Sequence, residues 1–95
     1  MTKAARDRLE RSDFFHEVCE TVRAWDYYLR TENKKDADEC MHKWMISKLA
    51  LEHITGETYG FSRNGETVSI VNERDYSDRL FVTDAYKTPQ KGEAS

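Results

Sequence analysis

Midway along the chain, Tyr59-Gly60-Phe61-Ser62-Arg63-Asn64-Gly65-Glu66-Thr67-Val68-Ser69-Ile70 sets an Asn-Gly pair between two alternating runs. Few local signals restrict a fold as tightly. A two-residue Asn-Gly loop suits a type I′ turn, in which both central residues need positive φ. That loop fixes the register: Arg63 faces Glu66, Phe61 faces Val68 and Tyr59 faces Ile70. One face then holds four apolar side chains and, beside the turn, an opposite-charge pair. The other face carries Thr58, Gly60, Ser62, Thr67, Ser69 and Val71, which are small and mostly polar. Each cross-strand pair contributes roughly 0.2–1 kcal/mol, and a one-residue slip would misplace them all.

A lone hairpin is marginal in water, so it needs a third strand or helices to cover it. Both are foreseen. Phe15, Val18, Val22, Trp25 and Leu29 recur at helical spacing and form one amphipathic stripe. Ser12 suits its N-cap and Asp13 its first turn, which predicts a helix over 12–31. Asp36 is a cap for a second helix that Gly56 ends. The apolar positions of this second helix include Ala37, Met41, Trp44, Met45, Ile46, Leu49, Leu51 and Ile54. They spread over more than half its circumference, so burial on more than one side is expected, with the opening stretch as a second cover. Residues 80–86 read as the third strand, with a helix capped by Ser77 as the alternative.

Ninety-five residues fit one domain. The expected division is a basic, mobile lead-in over 1–11, an α+β domain over 12–86 in the order α-α-β-β-β, and a disordered tail over 87–95. The architecture is an antiparallel helical hairpin on a small antiparallel sheet. Charged residues make up 35% of the chain, yet the net charge is only −3, which argues against a dedicated polyanion binder. No apolar run approaches the ~20 residues of a membrane span. The opening MTKAARDRLE lacks a secretion signal's apolar core, and two cysteines then read as reduced thiols in the cytoplasm.

The chemistry-bearing residues are sparse. His16, Cys19, Cys40 and His42 have a zinc composition. In a helical hairpin centred near Asn33, position i lies opposite about 66 − i. Cys40 then sits about seven residues along the axis from Cys19, roughly 10 Å at ~1.5 Å per residue, too far to share an ion. The same offset disfavours a disulfide, and no metal or cofactor is expected. The same arithmetic sets Trp25 beside Met41, Val22 beside Trp44 and Phe15 beside Leu51, all apolar pairs. Cys19 a turn from His16 sketches a thiol–base pair, and His53 with Asp13 and His16 a polar cluster. Neither has evident oxyanion donors, so no enzyme is expected.

Binding is the stronger expectation. Tyr27, Arg63, Tyr76 and Arg79 are the candidate partner contacts, because tyrosine and arginine anchor protein interfaces. Homodimerisation through the broad apolar surface of the second helix is a further expectation. In character, not in motif, the chain is similar to the short charged accessory proteins of phages and mobile elements that block host proteins. That implies a small protein-binding regulator or inhibitor. In outline only, two helices before a hairpin resemble a winged helix-turn-helix, which makes nucleic-acid binding the alternative. Lys34, Lys35, Arg63 and the amino-terminal arginines would be its footprint, while Asp38 and Glu39 on the second helix weigh against it. A small metal-binding or thiol-based protein is the second alternative.

Overall fold

Ser12 ends one helix and starts the next. The computed structural model describes residues 2–85, save the side chains of Phe81 and Val82. In it α1 runs Lys3–Arg11 and α2 runs Asp13–Arg30. The extended Ser12 donates its N–H to Leu9 O, closing α1, and its Oγ accepts from Phe15 N at 3.1 Å, opening α2. A Ser side chain at this position satisfies an otherwise orphaned helical N–H. Part of the expected lead-in is therefore a helix, with Leu9 buried in the core. Residues 87–95, expected as a tail, lie outside the described residues, as does Tyr86.

The connection Thr31–Asn33 is short, with Glu32 in the left-handed region at φ 59. Helix α3 spans Lys34–Thr55. Its cap is Asn33 rather than Asp36: Asn33 Oδ1 accepts from Asp36 N at 3.3 Å, and Asp36 sits inside the first turn. Gly56, at φ 74, closes the helix through its N–H to Glu52 O. Only glycine takes that conformation without a Cβ penalty.

The sheet is antiparallel in the order β1-β2-β3: β1 Tyr59–Asn64, β2 Thr67–Asn72 and β3 Asp75–Asp84. The fold is thus α+β, three helices followed by three antiparallel strands. The hairpin forms where expected, with a different register. Asn64 pairs with Thr67, so Gly65 and Glu66 make the loop, and Arg63 faces Val68, Phe61 faces Ile70 and Tyr59 faces Asn72. Of the two loop residues only Gly65 has positive φ, at 64. A loop with glycine first needs one left-handed residue instead of two, which relieves Asn64. Each β1 residue meets the β2 residue two further along than expected, so no side chain changes face. Tyr59, Val68 and Ile70 remain in the core with Leu9, Phe15, Val18, Val22, Trp44 and Leu51. Trp25 and Phe61 pack against them, ring centroids 4.9 Å apart. On the reverse face Ser69 and Val71 are also buried.

Strand β3 begins at Asp75, five residues before Leu80, and no helix starts at Ser77. Ser77 instead donates its N–H and Oγ to Asp75 Oδ1. Register shifts where Asn72 meets Asp75 and Val71 meets Arg79, leaving Tyr76, Ser77 and Asp78 as a bulge. Bulges re-aim side chains, and this one presents Asp78 to three elements. Asp78 Oδ1 pairs with Arg6 Nη1 of α1 at 2.9 Å, and Oδ2 accepts from Tyr59 Oη at 3.1 Å and Asn72 Nδ2 at 3.2 Å. Burial alone would raise the Asp78 carboxyl, but the Asn72 and Tyr59 hydrogen bonds and the Arg6 charge outweigh it and hold it below its ordinary value. Burial and the bond to Asp78 push the Tyr59 phenol from 10.0 to about 12.

These shifts set an alkaline limit on the fold. Tyr59 is neutral in place, and its pKa lies above the ordinary 10.0. Its contribution is therefore whole below pH 10 and lost as pH climbs toward about 12. Asp78 behaves oppositely, losing its share only as pH falls below its ordinary 3.8. Melting temperature should therefore drop steeply above pH 10, followed by circular dichroism. Tyr59→Phe should melt lower at neutral pH, by about 1 kcal/mol for the lost hydrogen bond, yet show a smaller alkaline drop. An identical drop in both proteins would exclude Tyr59 as its source.

Candidate protein-binding face

Helix α3 buries Ala37, Trp44 and Leu51, which recur every seven residues and face α2 and the sheet. Lys48 also turns that way, its Nζ donating to Tyr59 O at 2.6 Å and pairing with Glu73 at 3.2 Å. The opposite side has no cover among the described residues. Ile46 is 72% exposed, Leu49 67%, Met45 55% and Ile54 53%. The expectation that this helix is buried on more than one side is corrected here. Its second proposed cover, the opening stretch, packs as α1 on α2 and ties itself to β3 through Arg6 and Asp78. Beside the exposed side chains runs a groove of about 750 Å³, where Phe14, Val18 and Thr21 of α2 meet Lys43, Ile46 and Ser47 of α3.

The four expected contact residues fall into two groups. Tyr27 and Arg63 lie around Asp26, a carboxylate only 2% exposed. Asp26 Oδ1 pairs with Arg63 Nε at 3.1 Å and Oδ2 with Arg30 Nε at 2.8 Å. Arg30 in turn lies over the Tyr27 ring, 5.7 Å from its centroid, and Tyr27 meets Tyr28 edge to face at 5.6 Å. Arg63 therefore reaches Asp26, not Glu66 as the expected register had it. Tyr76, in the bulge of β3, and Arg79, just after it, line one hollow with Gly60, Ser62 and Glu73. Tyr76 is 70% exposed.

Comparison with protein-family models, curated proteins and solved structures finds no match. The geometry of the chain itself must carry any functional reading.

A second pocket, about 430 Å³, brings His16 and Cys19 together with Glu10, Arg23, Leu80 and Thr83. Burial, with the charges of Glu20 and Glu10, pushes the Cys19 thiol from 9.0 to about 12. A thiol so raised is neutral at physiological pH and a poor nucleophile. Cys40 is half-buried and shifted the same way, burial again being the largest cause. Among the described residues no three His, Cys, Asp or Glu side chains are grouped to hold a metal ion. No described helix is long and apolar enough to cross a membrane.

The exposed face of α3 was partly visible in the sequence as an excess of apolar positions. Which of them face outward depends on where α2 and the sheet settle, and no local pattern encodes that.

Proposed function

We propose that this chain is a small non-catalytic regulator of the cytoplasm that acts by binding protein, with the outward face of α3 as its contact surface. The observation that carries the reading is the set Met45, Ile46 and Leu49, helical neighbours on α3 that are all more than half exposed, with Ile54 exposed on the next turn. Single exposed apolar residues are ordinary, but a contiguous set rimmed by polar groups marks an interaction site. His42, Lys43 and His53 supply the rim. Tyr76 and Arg79 offer a second, smaller contact on the sheet. The inhibitor role, including the type found in phages and mobile elements, rests on the chain's shortness and high charge. The neutral Cys19 thiol supports a non-catalytic reading.

Immobilised wild type and the Ile46→Lys, Leu49→Lys double variant test this directly. A protein held by the wild type and lost by the variant is the expected result. Equal retention by both moves the contact off α3. A labelled duplex that binds at about 50 mM salt and releases steeply as salt rises would favour the nucleic-acid alternative instead.

A further inference from the structure

We propose that the outward seam of α3 pairs with the same seam of a second copy of this chain, antiparallel, about a two-fold axis between Ser47 and Lys48. The inference rests on α3 being a protein-binding face and names what that face binds.

His42, Ile46, Leu49 and His53 are spaced four, three and four residues apart. That spacing makes a narrow seam, the pattern one helix presents to another lying nearly parallel or antiparallel to it. Its centre is apolar and without charge, because Lys48 is turned inward to Tyr59 O and Glu73. The seam is also self-complementary. With the axis between residues 47 and 48, Ile46 of one copy lies level with Leu49 of the other, and Leu49 with Ile46. The same operation brings His42 level with His53. An isologous contact requires this matching of a surface with itself.

Charge is compatible with a second copy, and area makes the dimer a weak one. Between His42 and His53 the charges not turned inward are Lys43 and Glu52, one of each sign. Such a face selects neither a strongly basic nor a strongly acidic partner and does not repel its own kind. Complete burial of an aliphatic side chain removes ~60–120 Å² of apolar surface at ~25 cal/mol per Å². Ile46 and Leu49, 72% and 67% exposed, thus offer roughly 80–170 Å² per copy at the centre of the seam, with Met45 and Ile54 on its two flanks. The flanks of α3 and the lip of the α2 groove must supply the rest of the ~600 Å² per partner at the lower end of specific interfaces, so the expected dimer is weak and reversible.

Sedimentation equilibrium over about 1–500 µM tests this on the intact chain. The mass should move from 11.2 kDa toward twice that value as concentration rises. Ile46→Lys and Leu49→Glu should each raise Kd by more than about tenfold, since each puts a charge in the apolar seam. Mixed in equal amounts, the two variants should associate again, because position 46 of one copy faces position 49 of the other. A wild type that stays at 11.2 kDa throughout overturns the dimer, whatever the variants do. Variants that associate as well as the wild type overturn the seam, and a mixture that stays monomeric overturns the two-fold register. If the wild type is monomeric yet holds another protein through Ile46 and Leu49, the dimer fails and the protein-binding reading stands. If it is monomeric and holds nothing through them, both fail.

Discussion

Removing both guanidiniums from Asp26, with Arg30→Ala and Arg63→Ala together, is expected to cost about 3–5 kcal/mol, several times the cost of Asp26→Ala. The asymmetry comes from burial. The Asp26 side chain is 3% exposed, whereas those of Arg30 and Arg63 are 26% and 38% exposed. Without the carboxylate, both arginines can turn their heads to water, and the loss is little more than the two bonds, discounted for solvent screening. Without the arginines, a carboxylate is stranded with neither of its two cations, and a stranded buried charge is among the larger single penalties known. A domain of this size has a total stability of about 5–14 kcal/mol, so the double variant is near its limit. Adding Asp26→Ala to the double variant should therefore restore stability rather than lower it further. Urea denaturation of the four proteins decides the matter. If the triple variant is no more stable than the double, Asp26 is not held by these two partners.

The same cluster shows why a residue's role was harder to read than its place. Arg63 is a plausible anchor by type, and the alternating pattern put it beside the turn. Its partner is Asp26, thirty-seven positions earlier and on a helix. Sequence spacing within the hairpin carries no information about that meeting. The hairpin itself was legible because its signals are local: the Asn-Gly pair, the alternation, and which side chains share a face. The register was less so, since the choice between two loops one residue apart turns on a single left-handed residue. Ser12 and Gly56 were legible for the same reason as the hairpin, since each acts on backbone groups within four residues.

What stayed hidden was held by distant contacts. Helix α1 has one buried residue, Leu9, and its polar anchor Asp78 is 72 residues from Arg6. A short basic stretch with one buried apolar residue looks like a loose arm until the bulge that presents Asp78 is known. The start of β3 was obscured by that bulge, because Tyr76, Ser77 and Asp78 break the alternation that marks a strand. For the candidate face, the excess of apolar positions on α3 was visible and its cover was misjudged. The stretch expected to shield it was committed to β3.

Leu49 and Leu51 lie two residues apart on α3 and should respond to alanine in opposite ways. Leu51 is fully buried among core side chains that include Phe15 and Val22. Leu51→Ala removes its transfer free energy and leaves a cavity that close-packed neighbours fill only in part, an expected loss of about 2–5 kcal/mol. Leu49 is 67% exposed, and Leu49→Ala should change stability by less than about 0.5 kcal/mol at micromolar concentration. Denaturant midpoints of the two variants measure the orientation of α3 directly. The contrast also bears on the proposed seam, because a leucine that adds nothing to the lone chain is free to add to a contact outside it. Repeating the Leu49→Ala measurement at several hundred micromolar extends the test. A stability deficit that opens only at high concentration is expected if the side chain is buried against a second copy. Were Leu49→Ala as damaging as Leu51→Ala in dilute solution, α3 would be rotated about its axis to bury Leu49, and the exposed seam would turn with it.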